Sequence, residues 1–388
     1  MKILLVGEYS NVHWTLAEGL RDLGHEVTVV SDGDRWKNYP RDIDLRRRGL
    51  DSSSRVQRLT GSIRYLFDIA RVWPQLRGYD VVQLINPVFL DLKAERLWPF
   101  YRYLRRHNGL MIRGAFGIDH YWVKVGSDCK TFRYSDFNFG GELRHYPFAD
   151  EMTRDWLHGP KGELNKRIAE DCDGIVTGLY EYEMCYRPFF PDKTRFIPFP
   201  INRASVTPVS TLQSPITTLS FFIGIQRSRS FYKGTDIMLS ALKQLQSDFG
   251  ERMKIVKAEN VPFAQYQEMM NSSHVILDQL YSYTPAMNAL LAMAKGLIVV
   301  GGGEPEHYDL LDEHELRPII NVRPTEQDVY DQIADRLLSG KENIHQLQLD
   351  SIEYIRRHHD HLLVARKYQD FYNSLNAARQ APLPPAAV

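Results

Sequence analysis

The sequence predicts an α/β protein built from two doubly wound, Rossmann-like parallel sheets facing each other across a central cleft. Three observations carry that expectation. Short, continuous apolar runs recur along the chain, as strands covered on both faces require. Each is followed by sequence with helical apolar spacing, the βαβ alternation of a parallel sheet. One polar stretch rich in Ser, Thr and Pro, "NRASVTPVSTLQSPIT" from Asn202, separates two such series.

The first series opens with "KILLVG" (2–7), the helix-spaced "WTLAEGLRDLG" and the strand "EVTVVS". It continues through "DVVQLI" (80–85), "GLMIRGA" (109–115) and "DGIVTG" (173–178), and "RFIPFPIN" closes it. The second series runs from "TTLSFFIG" through the helix "TDIMLSALKQLQSDF", "MKIVKA", the helix "FAQYQEMMNSS", "HVILDQL", a helix after Pro285 and "LIVVGG". Two long helical patterns follow, "EQDVYDQIADRLLSG" and "LDSIEYIRRHHDHLLVARKYQDFYNSLNAA". The domains expected are 1–202 and 203–365, with a helix and Pro-rich tail at 366–388 packing back toward the first domain.

Composition limits what the chain can be. With 388 residues, 43% of them hydrophobic, it can bury two ordinary cores. Its 48 basic and 48 acidic side chains cancel, which argues against a dedicated nucleic-acid binder. Cys129, Cys172 and Cys185 share no CxxC spacing, so they read as buried thiols rather than as a disulfide framework or zinc site. "MKILLVG" runs into "EYSNVHW" without a small-residue cleavage site, and no apolar run approaches the roughly 18 residues of a membrane span. A cytoplasmic protein is expected.

Two loops attract an anion. Thr284 suits an N-cap, Pro285 the first helical position and Gly296 the stop, so "PAMNALLAMAK" reads as a short helix. Free N–H groups near Ala286 and Met287, with the positive helix end behind them, offer a diphosphate seat; a plain βαβ unit is the alternative. The loop "FIGIQRSRSFYKGTDIMLSAL" places Arg227, Arg229 and Lys233 between a strand and a helix. Both loops follow strands of one parallel sheet and therefore share its carboxyl edge, where such sheets bind ligands.

These stretches resemble the retaining GT-B glycosyltransferases of the "group 1" family, over nearly the whole chain. The Gly, Arg and Lys-Gly of "GIQRSRSFYKG" match the family's donor-phosphate loop, "LLAMAKGLIVV" its Leu-Glu-Ala-Met-Ala-x-Gly helix and strand, and "GGGEPE" its Gly-Gly-x-x-Glu loop. "FIPFPIN" matches the inter-domain element at Ile197, Pro198, Ile201 and Asn202, and "DLGHEVTVVS" is another family phrase. The resemblance implies a nucleoside diphosphate sugar as donor co-substrate, with Arg227 or Arg229 and Lys233 on its phosphates and Thr284 at the helix start. No other cofactor and no metal is expected.

The family's two glutamates, however, fall on Tyr283 and Leu291. Glu304, Glu306, Tyr283 or Asn288 is expected to take over the donor hydroxyls. The first half then serves the acceptor, a saccharide or lipid-linked saccharide in surface polysaccharide synthesis. Its loop "GEYSNVHW" offers Glu8, Ser10, Asn11 and His13, and "RGAFGIDHYW" offers Asp119 and His120, near where family members hydrogen-bond the transferred sugar. The first of these loops lacks G-x-G-x-x-G, which disfavours a dinucleotide. Asp119 as a turn cap and His120 as a packed residue are the alternatives.

Other signals carry less. Asp32 and Asp34 in "SDGD" have D-x-D spacing, and His358 and His361 in "HHDH" share a helix face; a ribose or solvent contact and a solvated face explain them better than metal does. From Arg46 to Arg77 the chain adds Arg47, Arg48, Arg55, Arg58, Arg64 and Arg71 against Asp51 and Asp68, interleaved with Tyr65, Leu66, Phe67, Ile69, Val72 and Trp73. This segment reads either as a peripheral anchor on an anionic membrane's inner face or as a salt-bridged helix with a core-facing aromatic stripe. Two rival functions remain at this level: a nucleotide-sugar epimerase of the same shape, and a non-catalytic sugar-binding protein.

Overall fold

In the computed structural model, which describes residues 1–50, 52–209, 212 and 216–380, the strands gather into two parallel sheets. Asp51, part of the expected linker and the whole Pro-rich tail lie outside the described residues. The strands are β1 (Lys2–Val6), β2 (Glu26–Ser31), β3 (Ile43–Asp44), β4 (Val81–Leu84), β5 (Leu110–Ala115), β6 (Asn138–Phe139), β7 (Glu142–Leu143), β8 (Gly174–Thr177) and β9 (Thr194–Phe196) in the first half. The second half contains β10 (Leu219–Ile225), β11 (Met253–Glu259), β12 (Val275–Leu277), β13 (Ile298–Gly301) and β14 (Ile320–Asn321).

The first sheet has order β3-β2-β1-β4-β5-β8-β9 and the second β11-β10-β12-β13-β14. Every pairing in both is parallel; only the small hairpin β6–β7 is antiparallel. The apolar runs named above become the central strands, because a strand with helices on both faces has no polar side to alternate with. Ile3, Leu4, Leu5, Val81, Val82 and Ile298 are all sealed from solvent.

Two crossings join the lobes, and they pair with each other. Ile201 forms a parallel bridge with Asp360, through Ile201 N–H to His359 O (2.7 Å) and His361 N–H to Ile201 O (3.1 Å). The long C-terminal pattern is accordingly two helices, Ile344–His358 and His361–Gln380, broken where the backbone turns to meet Ile201. "HHDH" is this crossing: His358 contacts Glu313 of the second lobe (2.7 Å), His359 Nδ1 the Phe199 carbonyl (2.8 Å), and His361 lies 3.4 Å from Asp22 of the first. The last helix then returns to the first lobe against the helix Val12–Asp22. Gly19 allows the approach, since a Cβ there would come within 2.9 Å of the Ala365 Cβ.

The cysteines are free; Cys172 and Cys185 are buried and Cys129 is partly exposed. No described helix is long and apolar enough to cross a membrane.

Candidate functional site

The loops at the carboxyl ends of the two sheets meet. From the first lobe come the start of the helix Tyr180–Tyr186, just after β8, and the irregular segment 127–146 that carries β6 and β7. From the second come the loop 226–234 after β10, the turn 278–286 after β12 and the stretch after β13 that contains Glu304 and Glu306.

The anion-friendly features lie on the second lobe. Arg227–Arg229 form one helical turn, Ser230–Lys233 another, and Gly234, at φ +71°, lets the chain reverse into the helix Thr235–Phe249. Arg227 is 82% exposed and its guanidinium pairs with Glu259. Arg229 is exposed, and no side chain among the described residues partners it. Lys233 is half-buried beside Asp278, whose carboxyl is pushed up by burial while Lys233 pulls it down. Asn288 donates to Asp278 (3.3 Å) and accepts from the Tyr266 hydroxyl (3.4 Å).

The helix after the turn runs Met287–Lys295 with Ala286 as N-cap and Gly296 closing it at φ +91°. Thr284 is not the cap. Its amide and that of Tyr283 donate to Glu181 Oε1 at 3.1 and 2.6 Å, Ser282 Oγ adds a third bond at 2.8 Å, and the Thr284 hydroxyl accepts from the Tyr180 amide (3.3 Å). These partners fix the turn ahead of Ala286, whose backbone is extended before the helix begins at Met287. Among the described residues no acceptor meets the amides of Met287, Asn288 and Ala289, the open end of that helix.

Glu304 and Glu306 face the first lobe rather than open solvent. The Arg133 guanidinium bridges both, with 2.7 Å to Glu304, and the Tyr134 hydroxyl donates to Glu304. The hydrogen bond from Arg133 holds the Glu306 carboxyl below its usual range, against burial. Tyr283 joins the same contact: its hydroxyl accepts from the Arg133 amide (2.8 Å), its ring lies under the guanidinium and stacks on Tyr180. A cavity of about 350 Å³ opens beside Arg133, Tyr180, Tyr283 and Glu306. Nearby, Arg144 donates to the Phe231 carbonyl (2.7 Å) over the Tyr281 ring, and burial raises Asp136 to about 7 against bonds from Trp122 and Tyr232.

The first-lobe residues expected at the cleft are held inside the fold. Asp119 and Arg113 form an ion pair at 2.6 Å with both side chains 0% exposed; Asp119 also accepts from Tyr186 (2.7 Å) and caps the helix His120–Gly126 through the Trp122 amide. His120 turns toward the Trp156 carbonyl (2.8 Å). Glu8 accepts from the His13 and Trp14 amides at the start of the helix Val12–Asp22, and burial lifts it to about 8 against those bonds. His13 is sealed between Gly7 O and Gln83, and burial lowers it to about 3. Asn11 stays at the rim with φ +70°, bonded to Thr15, its Oδ1 without a partner among the described residues. Asp34 is tied to Lys37 and the Ser10 amide. Among the described residues no group of three or more His, Cys, Asp or Glu has a metal-holding arrangement.

Sequence reading missed Glu181, Arg133, Tyr134, Asp136, Arg144 and Asp278. Their partners lie as far as 173 residues away, as for Arg133 and Glu306, and 127–146 has no periodic pattern.

No protein-family model matches the chain, and no curated protein matches it. Solved structures do. Sucrose-phosphate synthase of Thermosynechococcus elongatus is similar over 97% of this chain and 100% of its own at 13% identity, with a TM-score of 0.61. The catalytic domain of starch synthase IV from Arabidopsis thaliana, bound to ADP and acarbose, matches over 97% and 99% at 10% identity, TM-score 0.59. HepE of Anabaena, in complex with UDP and glucose, matches over 96% and 100% at 12% identity, TM-score 0.56. At such identities the likeness speaks for architecture: the chain has the GT-B fold, two parallel α/β lobes around a cleft.

Proposed function

We propose that the protein is a glycosyltransferase that moves a sugar from a nucleoside diphosphate to a saccharide acceptor, with retention, in the assembly of a surface polysaccharide. The observation that carries this reading is the convergence of Arg229, Lys233 and the open amides of Met287–Ala289 on one sheet edge of a GT-B fold. The neighbours bound to UDP with glucose, and to ADP, supply the ligand class.

In this reading the diphosphate lies against the helix start, with Arg229 and Lys233 on its oxygens. Negative charge grows there as the glycosidic bond breaks. The two cations and the helix end then stabilise the leaving group without a metal. Glu304 and Glu306 receive sugar hydroxyls on lone pairs that Arg133 leaves open. These two carboxylates thus replace the acids for which Tyr283 and Leu291 stand in this sequence.

A second reading, a sugar-binding protein without turnover, draws on Glu181 and Arg133, which already engage the amides and carboxylates of the cleft. The test is a panel of UDP-, GDP- and ADP-sugars with and without saccharide acceptors, scored by released diphosphate. Acceptor-stimulated release supports transfer. Calorimetry showing saccharide binding and no nucleotide binding refutes it in favour of the second reading.

A further inference from the structure

The helix Arg55–Val72 buries little of itself: Tyr65 and Ile69 are its buried residues. Val56, Leu59, Ile63 and Phe67 are 69, 63, 61 and 70% exposed, and Leu66 is exposed with them. At 3.6 residues per turn these five fall within an arc of about 100°, a continuous apolar stripe running the length of the helix. Of the core-facing stripe expected from the sequence, Tyr65 and Ile69 are buried with Val72 and Trp73 packed beside them, whereas Leu66 and Phe67 belong to the exposed row. Scattered exposed apolar residues are ordinary, but a contiguous row is a contact surface.

The stripe's borders are cationic. Arg64 and Arg71 fall on one side of it and Arg55 on the other. Arg64 is only 4.0 Å from Asp68, in a largely exposed pair, and Arg55 and Arg71 have no carboxylate partner among the described residues. A water-facing helix stabilised by its own ion pairs would have matched acids. An apolar stripe bordered by Arg55, Arg64 and Arg71, with Asp68 the single acid paired to them among the described residues, instead complements a surface that is apolar in depth and negative at its face.

The helix also stands beside the cleft. It joins β3 to β4, which run in the same direction in one sheet, so it runs opposite to them and its Arg55 end lies at their carboxyl edge. The Tyr65 hydroxyl accepts from the Asp91 amide (3.0 Å) in the loop leaving β4 on that edge.

We infer that the helix Arg55–Val72 docks on an anionic lipid bilayer, with the row from Val56 to Phe67 in the headgroup layer and the arginines on lipid phosphates. This contact depends on none of the chemistry in the cleft. If the cleft transfers sugar, the docked geometry brings a membrane-held acceptor to its rim.

The full chain is co-sedimented with vesicles of phosphatidylcholine alone and of phosphatidylcholine with phosphatidylglycerol, at low and high salt. Binding to the anionic vesicles that weakens as salt rises is expected. The double substitution Leu59→Glu with Phe67→Glu should reduce it about tenfold or more, whereas Leu349→Glu, at an exposed leucine on another helix, should leave it intact. Circular dichroism verifies the fold, and nucleotide calorimetry on the same variant reads the cleft separately. Absence of binding to anionic vesicles at low salt overturns the inference. So does a self-association, seen by sedimentation equilibrium, that the double substitution dissolves while vesicle binding persists.

Discussion

Glu181 Oε1 meets the backbone amide of Tyr283 at 2.6 Å, a bond from the first lobe to the turn that starts the cleft helix of the second. The carboxylate is buried, its Oε1 takes the Thr284 amide and the Ser282 hydroxyl as well, and its Oε2 has no partner among the described residues. Glu181→Ala would leave the two amides unsatisfied in a dry site, at about 1–3 kcal/mol for each group stranded. Glu181→Gln keeps a carbonyl acceptor and should lose about 1 kcal/mol, the difference between charged and neutral bonds. Urea denaturation of the two variants checks this; equal midpoints would mean that Glu181 is not the acceptor for these amides.

Arg229→Ala and Lys233→Ala should each weaken binding of a nucleoside diphosphate tenfold or more, at roughly 1.4 kcal/mol per tenfold. Arg227→Ala should do less, because that guanidinium is already paired with Glu259. Calorimetry with UDP, GDP and ADP measures all three. A larger loss from Arg227→Ala than from Arg229→Ala would reverse the assignment.

Leu291 is half-buried, one helical turn beyond Asn288 on the helix that opens toward the cleft. Leu291→Glu restores the acid that the family resemblance places there, and the partial exposure lets the chain accept a charge. Nucleotide affinity should rise by about tenfold, the order of one hydrogen bond between a carboxylate and a ribose hydroxyl. Unchanged affinity in a folded variant would show that the ribose does not pass this helix.

The sheets were legible because strands covered on both faces are written as unbroken apolar runs. The two-residue strands β3 and β14 at the sheet edges carry too little sequence to show any period. The phosphate loop was legible as residue types in order, but which of its arginines is unpaired depends on Glu259, which lies on a neighbouring strand rather than nearby in sequence. Asp119 and His120 illustrate a different limit. Their position after β5 was read correctly, yet the side chains turn inward to Arg113 and Trp156, and side-chain direction at a loop start leaves no trace in spacing. The segment 127–146 crosses to the other lobe through pairs such as Arg133–Glu304, and nothing local announces such a contact.

Two buried histidines make stability depend on pH. Burial lowers His13 and His359 to about 3 from 6.5, so the folded chain stays unprotonated at both while the unfolded chain takes up protons. Their stability is fully present above 6.5 and falls as pH drops from 6.5 toward 3, by about 1.4 kcal/mol per pH unit for each proton. His359→Asn keeps a side-chain N–H for the Phe199 carbonyl and removes one titration, so the slope between pH 5 and 6.5 should shrink by about one proton. Denaturant melts across that range provide the test, and an unaltered slope would contradict the buried neutral state of His359.

The bridge between Ile201 and Asp360 has a mechanical consequence. Two separate tethers would resist any change in lobe angle, but two tethers bonded to each other at one place act as a pivot. The lobes can rock about that seam while sliding along it would tear its hydrogen bonds. The rim where Arg133 grips Glu304 and Glu306 is where such rocking is felt as the breaking of ion pairs.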